Sequence, residues 1–278
     1  MTRLFDRRVD VTVDNIRFQN LDCAFHVKKT LKPQPNTCEL TIFNLSEEHI
    51  AQLENLRPKE PQATKGIGCR IEAGYVDATS QLWLGDLRTV LTTREGSDWV
   101  TRLESGDGEK AWKNARLHVS YGPGTPIETS LRAMVRSLGL GEGNLSKFVG
   151  QLKQNGTAIW PAGKSFAGPV SRQLTAFAAS AGLEVSIQDG ALQFLDRGKA
   201  LAGTAVRLAP ETGLIGSPTV DNDGVLEAKC LMIPDIRCGG LVTIDARRVK
   251  GTYRIEEAEW AGDTAGDEWS ITIRGKRY

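Results

Sequence analysis

The chain has 278 residues, enough for two or three domains of about 100 to 150 residues each. Its 35 Lys and Arg residues nearly balance its 34 Asp and Glu residues, so the composition gives no support to a dedicated nucleic-acid-binding protein, which needs a strong basic excess. No run approaches the roughly 18 apolar residues of a membrane span, and the opening residues, MTRLFDRRVDVTV, lack the apolar core of a secretory signal, which predicts synthesis in the cytoplasm.

Residues 1–106 are predicted to be rich in β-strands. Apolar and polar residues alternate with a period of two at Val9–Val13, Leu21–Val27 and Cys38–Ile42. This pattern is typical of an antiparallel sheet that is covered on one face. The segment KKTLKPQP separates two of these strands and is predicted to form a loop.

A short helix is predicted after the third of these strands. Ser46 is a suitable N-cap, and two glutamates follow it in the first turn. Ile50, Leu53 and Leu56 form an apolar stripe, and Arg57-Pro58 is predicted to end the helix. Because so short a helix is not stable alone, we expect it to cover the apolar face of the sheet.

Residues 107–200 change character and begin with a predicted helix. Thr125 is the expected N-cap, Pro126 suits the first helical position, and Glu128 completes a capping box. Gly139 is expected to end this helix.

A second helix and a hairpin follow in the same region. The helix is expected to begin after Pro169 and to end at Gly182, with apolar residues on one face. The segment LEVSIQDGALQFL then alternates on both sides of Asp189-Gly190, a pair that favours a type I′ turn. The region is therefore predicted to be an α+β module of two helices and a hairpin.

Residues 201–278 return to strand-like segments, among them VLEAKCLM, GGLVTIDA and TYRIEEAEWAG, separated by glycine and proline turns. We predict a mainly β protein with an α+β insert. Its expected domains are a first β domain at 1–106, a middle module at 107–200 and a second β domain at 201–278.

Motifs for metals and nucleotides are absent from the sequence. A zinc site needs closely spaced cysteines, whereas Cys23, Cys38 and Cys69 fall in phase with apolar strand residues and are predicted to be buried thiols. Cys230 and Cys238 leave open a pairing across a turn. The stretch GTAIWPAGKS does not have the glycine spacing of a P-loop and is predicted to be a loop. We expect no metal and no cofactor.

The acids of the stretch EEAEWAGDTAGDEW could suggest a glycosidase site. Such a site needs two carboxylates on opposite sides of the scissile bond, one of them buried. Asp263 and Asp267 instead flank glycines of a predicted hairpin turn, where they are expected to be solvated. No nucleophile motif such as G-x-S-x-G is present either. We therefore expect no catalytic residues and no enzymatic activity.

Two basic clusters could contact phosphates. They are KKTLK, with Lys28, Lys29 and Lys32, and RGKRY, with Arg274, Lys276 and Arg277. Placed in a loop and at a terminus, these side chains are interpreted first as solvated charges.

Several longer phrases carry a resemblance to a known family. They are KKTLKPQPNTCELTIFNLS, GDLRTVLTTREGSDWVTRLESGDGEKA, GLIGSPTVDNDGVLEAKCLMIPDIRCGGLVTI and GTYRIEEAEWAGDTAGDEWSITIRG. Over the whole chain, the sequence resembles the central hub proteins of baseplates in contractile-tailed bacteriophages and related injection machines.

The resemblance implies two tail-tube-like β-barrel domains flanking a small helix-plus-hairpin module. It also implies a ring of three chains that joins the sixfold tail tube to the threefold central spike and lets DNA pass. Open sheet edges would pair between neighbouring chains. Lys28, Lys29 and Lys32 are then candidate contacts with a partner or with the lumen.

The expected partners are the tail tube protein, the central spike protein, and baseplate wedge or tape-measure proteins. The expected location is the virion tail baseplate, after assembly in the host cytoplasm.

Three alternatives stay open on the sequence. One is a tube-initiator or distal tail ring protein. Another is a cell-wall polysaccharide hydrolase using carboxylates such as Glu256 and Asp263. The third is a carbohydrate-binding β module that stacks sugars on exposed tryptophans, chosen from Trp83, Trp99, Trp112, Trp160, Trp260 and Trp269.

Overall fold

The computed structural model describes residues 6–56, 66–154, 156 and 158–278. The chain forms two compact units. The sheet unit comprises Met1–Thr30, Asn36–Gly106 and Lys199–Tyr278, and the middle unit comprises Leu31–Pro35 and Asp107–Gly198.

In its described residues, the sheet unit has thirteen strands and two short helical segments. Its strands are β1 (Arg7–Val13), β2 (Ile16–Gln19), β3 (Cys23–Thr30), β4 (Thr37–Phe43), β5 (Gly68–Tyr75), β6 (Ala78–Glu95), β7 (Asp98–Gly106), β12 (Val206–Leu208), β13 (Leu214–Val220), β14 (Val225–Leu231), β15 (Leu241–Asp245), β16 (Lys250–Asp263) and β17 (Trp269–Arg277). Helix α1 spans Glu47–Asn55, and a 3₁₀ turn spans Pro210–Thr212.

One continuous sheet contains all thirteen strands. Its order is β13-β14-β17-β16-β3-β4-β7-β6-β5-β1-β2, with β15 paired to β16 and β12 paired to β15. The pairing of β16 with β3 joins the strands of the last third of the chain to those of the first third. A mainly β protein with an α+β insert is confirmed, and the described strands do not close into a barrel.

The period-two patterns position the core as predicted. In β3, Cys23, Phe25 and Val27 are buried while His26 between them is exposed.

All five cysteines are buried free thiols, so Cys230 and Cys238 do not form a disulfide. Burial raises the thiol pKa of Cys23, Cys69 and Cys230 to about 12, which keeps these groups protonated and unreactive at neutral pH.

Helix α1 begins where the sequence predicts. The Ser46 hydroxyl accepts a hydrogen bond from the His49 backbone N–H at 3.3 Å, Leu53 is fully buried, and the His49 ring packs edge-on against Phe18 of β2. The predicted end at Arg57-Pro58 lies outside the described residues. Strands also cover the apolar face of β4, because Ile42 shares a small cavity with Val11 and Phe18.

Most of each basic cluster lies on a strand, which corrects the predicted placement, whereas Lys32 lies beyond the end of β3. Strand β3 continues to Thr30 and therefore includes Lys28 and Lys29, because its register with β16 extends through both positions. Strand β17 continues to Arg277, so the RGKRY cluster is largely part of the sheet and not of a free terminus.

The described part of the middle unit has four helices and two small antiparallel sheets. Its elements are α2 (Glu109–Asn114), β8 (Arg116–Tyr121), α3 (Ile127–Leu138), α4 (Leu145–Gln154), β9 (Lys164–Pro169), α5 (Val170–Ser180), β10 (Leu183–Gln188) and β11 (Ala191–Asp196). Strand β8 pairs with β9 and β10 pairs with β11. Helix α4 was not predicted, yet it contributes Leu145, Phe148 and Val149 to the core.

The start of α3 differs from the predicted capping box. The helix begins at Ile127, and its first N–H donates to the Ala158 carbonyl at 2.8 Å. The Thr125 hydroxyl donates instead to the Gly122 carbonyl. Glu128 pairs with Arg132 and Lys153 rather than with the helix terminus. At this helix terminus a backbone carbonyl of a neighbouring loop therefore accepts a hydrogen bond, in place of the predicted capping by the Thr125 and Glu128 side chains.

That loop belongs to the stretch GTAIWPAGKS, of which Thr157 lies outside the described residues. Residues 158–160 pair with 124–127, and Trp160 exchanges backbone hydrogen bonds with Gly124 and Thr125. The stretch is a loop up to Gly163, as predicted, and Lys164 begins β9.

The predicted hairpin at Asp189-Gly190 is present as β10 and β11. Asp189 has φ 54° and Gly190 has φ 76°, as a type I′ turn requires. The fully buried Asp107 carboxylate accepts the backbone N–H groups of Asp189 and Gly190 at 2.8 and 2.7 Å. This contact was not predicted, because Asp107 and the turn are more than 80 residues apart in the sequence.

Candidate interaction surface

One face of the sheet carries a row of paired charges. Across the eight consecutive strands from β13 to β6, alternate residues point away from the core and form what we call the polar face. On β3 it carries His26 and Lys28, while Phe25 and Val27 point to the core. The period-two alternation recognised in the sequence creates this face directly.

Six residues on four adjacent strands form a charge ladder on the polar face. They are Glu227 of β14, Arg274 of β17, Glu257 and Glu259 of β16, and His26 and Lys28 of β3. Arg274 Nε lies 2.9 Å from Glu227 Oε2, and Lys28 Nζ lies 3.1 Å from Glu257 and 2.6 Å from Glu259. Arg274 also lies 3.5 Å from Glu257, and His26 Nε2 lies 3.7 Å from Glu259. Each fixed cation of the ladder is therefore matched by two carboxylates.

The ladder shifts the pKa values of its members toward their charged forms. Hydrogen bonding from Lys28 lowers the pKa of Glu259, and hydrogen bonding to Glu259 raises the pKa of Lys28. The hydrogen bond to Glu227 raises the pKa of Arg274. These groups remain charged over a wide pH range, so the polar face keeps its paired charges.

The three lysines singled out in the sequence occupy three different environments. Lys28 is half-exposed on the polar face, while Lys29 is 6% exposed and lies 6.0 and 5.7 Å from the ring centroids of Trp83 and Trp260. Lys32 is exposed and belongs to the middle unit. The two neighbouring lysines of β3 therefore point to opposite faces of the sheet, and the role of all three as partner or lumen contacts remains a prediction.

The acidic stretch forms a structural turn. The Asp263 carboxylate accepts the backbone N–H groups of Ala265 and Gly266 at 2.9 and 2.8 Å, while Glu256 pairs with Arg254. Within the described residues, no three His, Cys, Asp or Glu side chains are grouped as metal ligands.

Most tryptophans are part of the core and are not available for stacking on a sugar. Trp83, Trp112, Trp260 and Trp269 are buried, whereas Trp99 is 45% exposed.

In the described part of the chain, no helix is long and apolar enough to cross a membrane.

Solved structures with the same fold come from tail assemblies. A 43 kDa tail protein of prophage MuSo2 from Shewanella oneidensis aligns with a TM-score of 0.64 at 10% identity, over 97% of this chain and 98% of that chain. A tail protein from Neisseria meningitidis MC58 aligns with a TM-score of 0.65 at 10% identity, over 98% and 97% of the two chains.

A third similar structure comes from a secretion machine. An Escherichia coli type VI secretion component, described as structurally similar to the T4 bacteriophage tail proteins gp27 and gp5, aligns with a TM-score of 0.57 at 8% identity, over 96% of this chain and 76% of that chain. These three solved structures therefore share the fold of this chain.

The family model described as baseplate hub gp41 matches residues 7–272. The chain belongs to this baseplate hub family, which makes it a structural component of a bacteriophage tail. Among proteins with curated functions, none matches the sequence.

Proposed function

We propose that the protein is the baseplate hub itself, and that three copies form a ring that joins the tail tube to the central spike and lets DNA pass. The observation that carries the proposal is the charge ladder. In this proposal the polar face lines the ring, and carboxylates neutralise its cations within the sheet.

The ladder suits a surface that DNA crosses without being held. Each free Lys or Arg that contacts a phosphate releases counterions and strengthens binding. Lys28 and Arg274 are each already engaged by two carboxylates, at distances between 2.6 and 3.5 Å. A phosphate would have to displace those carboxylates, so the affinity of the face for DNA would be low.

We further propose that the sheet unit contains two tube-like domains, at 1–106 and 201–278, with the module at 107–200 between them. Two such domains in each of three chains give six similar positions, which would match a sixfold tube above a threefold spike. The likeness to the E. coli secretion component, itself similar to gp27 and gp5, supports this arrangement. So does a likeness to one chain of the Francisella PdpA–VgrG complex, with a TM-score of 0.59 at 8% identity over 100% of this chain and 59% of that chain.

The proposed partners follow from this position. They are the tail tube protein, the central spike protein, and baseplate wedge or tape-measure proteins. Lys28 and Lys32 are the proposed contacts to a partner or to the lumen, whereas Lys29, also predicted as a contact, is 6% exposed and packs against Trp83 and Trp260. Assembly would take place in the host cytoplasm before the hub enters the virion.

Sedimentation of the purified chain over a concentration series tests the ring. A species near three times the chain mass of 30.3 kDa is expected at high concentration. A sixfold species would instead favour the tube-initiator alternative, and a purely monomeric chain would contradict a ring formed by this protein alone.

A DNA-binding titration tests the polar face. Replacing both carboxylates, in Glu257→Gln/Glu259→Gln, leaves Lys28 without an anionic partner on the face. We expect the affinity for duplex DNA at low salt to rise several-fold, and the salt dependence to steepen by about one counterion per freed cation. The control is Glu48→Gln on α1, which removes a carboxylate that lies away from the ladder and accepts a hydrogen bond from Gln52. Equal DNA binding by the double variant and the control would overturn the proposed role of the ladder.

A further inference from the structure

Two strand edges of the sheet unit are complementary to one another. The first belongs to β6, which pairs with β5 only as far as Asp86. From Leu91 to Glu95, β7 is its sole strand partner in the described part of the chain. The second belongs to β13, the last strand of the sheet, which pairs with β14 on one side only.

The directions of these two strands allow antiparallel pairing between copies. Strands β13, β14, β17, β16, β3, β4, β7 and β6 are consecutive neighbours, and every neighbouring pair is antiparallel. Strand β6 therefore runs opposite to β13. A second copy placed in the same orientation beside β6 presents its β13 antiparallel to it, which continues the pattern of the sheet.

Exposed apolar side chains mark both edges. Leu91 on β6 is 52% exposed, and Ile215 on β13 is 38% exposed. Such residues are unusual on a sheet edge, where charged or polar side chains normally discourage association. Val220, at the other end of β13, is 42% exposed.

Leu91 and Ile215 lie on the same face of the sheet. Ile215 is opposite Lys229, Lys229 is opposite Thr272, and Thr272 is opposite Glu259, which belongs to the charge ladder. Leu91 is opposite Arg102, which continues through Thr41 to Ala24, a position on β3 with the same parity as Lys28. Since directly opposite residues share a face, both apolar side chains stand on the polar face and would cover each other on pairing.

The β13 edge is also built to restrict pairing. A bulge at Gly216–Pro218 interrupts its register with β14, and Pro218 has no backbone N–H to donate. These features leave two short regular segments, at Leu214–Ile215 and Thr219–Val220. They disfavour unselective strand addition and leave a contact that depends on side-chain fit.

We propose that β6 of one copy pairs antiparallel with β13 of the next, with Leu91 of the first copy against Ile215 of the second. The contact is head-to-tail, because each copy uses a different edge on each side. Repetition of such a contact closes a ring when three copies complete one full turn, which is the geometry that the proposed ring requires. The inference rests on the proposed ring and identifies its interface. Its short hydrogen-bonded length makes assembly dependent on concentration.

Cross-linking of the variant Leu91→Cys/Ile215→Cys tests the contact. A short bismaleimide is suitable, because its reach includes both directly opposite and diagonal neighbours on paired strands. The native thiols are all buried, so they give little background. The single variants cannot link by this contact, and Ile159→Cys/Ile215→Cys is a control of similar exposure, since Ile159 is 50% exposed in the middle unit.

We expect the double variant to give covalent dimers and trimers, at least five-fold above the control pair. A second pair of variants, Leu91→Asp and Ile215→Asp, changes exposed positions without disturbing the core. Each is expected to weaken assembly at least ten-fold by sedimentation, with an unchanged circular dichroism spectrum.

The outcomes separate this inference from the proposed function. If the native chain assembles, but cross-linking stays at the level of the control and both aspartate variants assemble normally, the β6–β13 contact is wrong and the ring stands. If the native chain never assembles and never cross-links, the ring formed by this chain alone fails, and this contact fails with it.

Discussion

Lys28 of β3 and Glu259 of β16 occupy directly opposite positions on paired strands, and the Lys28 ammonium donates to the Glu259 carboxylate at 2.6 Å. The two residues are 231 positions apart in the sequence. Their pairing therefore reports on the register between the first and the last third of the chain.

Loss of this ion pair is expected to have a small effect on stability. The Lys28 side chain is 38% exposed, so solvent screens the interaction, and a coupling free energy of about 0.2 to 1 kcal/mol is expected. A double-mutant cycle with Lys28→Met and Glu259→Gln, measured by urea unfolding at pH 7, gives this value. Additivity within error would show that the pair contributes only to the charge of the face.

The same coupling is expected to depend on pH in a defined direction. The pKa of Glu259 is lowered from 4.5, so its contribution is present above pH 4.5 and is lost as the pH falls through the lowered pKa. The pKa of Lys28 is raised from 10.5, so its contribution is present below pH 10.5 and is lost as the pH rises through the raised pKa. The coupling free energy should be constant between these limits. A coupling that survives unchanged in strong acid would contradict the assignment.

Removal of the Asp107 carboxylate is expected to lower the stability of the middle unit strongly. This fully buried carboxylate accepts two backbone N–H groups of the β10–β11 turn. Asp107→Ala leaves both donors without that acceptor, and a loss of about 2 to 4 kcal/mol in the free energy of unfolding is expected. The exposed Asp196→Asn is the control and should change stability very little. Hydrogen exchange at Asp189 and Gly190 provides a local readout, since both amides should lose protection in Asp107→Ala.

Alanine substitutions at two glycines of the middle unit are expected to change the stability in opposite directions. A Cβ on Gly143 would lie 1.8 Å from the Leu192 carbonyl oxygen, and its φ of 54° is already unfavourable for alanine. A Cβ on Gly150, inside α4, would meet nothing within 4 Å. Gly143→Ala is expected to destabilise by more than about 1 kcal/mol, and Gly150→Ala to stabilise by about 0.5 to 1 kcal/mol. Thermal unfolding of the two variants should therefore shift in opposite directions, and equal shifts would show that this region of the fold is wrong.

Arg7 joins the beginning of β1 to the turn between β16 and β17. Its guanidinium donates to the carbonyls of Asp263, at 2.7 Å, and of Gly266, and lies 5.3 Å from the Trp269 ring centroid. Arg7→Lys keeps the positive charge but removes the forked N–H donors of the guanidinium. We therefore expect even this conservative change to lower the free energy of unfolding by about 1 kcal/mol. Faster amide exchange in residues 264–268 should accompany it. Arg8→Lys, next in the chain, is the control. Unchanged amide exchange in residues 264–268 of Arg7→Lys would mean that the positive charge alone holds the two segments together.

The parts of the fold that the sequence predicts well are set by local patterns. The alternation at Cys23–Val27 predicts the buried face of β3, Ser46 predicts the start of α1, and Asp189-Gly190 predicts the type I′ turn. Each depends on residues within a few positions of one another, so a single stretch of sequence contains the necessary information.

The parts that sequence analysis missed depend on distant residues. Lys29 is read as a loop residue because its burial against Trp83 and Trp260 requires the folded sheet. The predicted cap of α3 fails because Ala158, some 30 positions later, supplies the acceptor. Helix α4 is missed because Gly150 and several polar residues obscure its apolar face. The ladder was not predicted either, since His26 and Lys28 lie near the start of the chain and its glutamates lie in the last third.

The pairing of β3 with β16 also sets the order in which the protein can fold during synthesis. Strand β3 is complete by Thr30, whereas its partner on one side, β16, is complete only at Asp263. At the usual elongation rates, roughly 10 to 50 s separate the appearance of the two strands. During that interval β4 can pair with one edge of β3, because it is synthesised soon afterwards, while the edge that will bind β16 has no partner strand. The nascent chain thus exposes a strand edge for most of its time on the ribosome, which makes β3 the segment where premature association, or protection by a chaperone, is most to be expected.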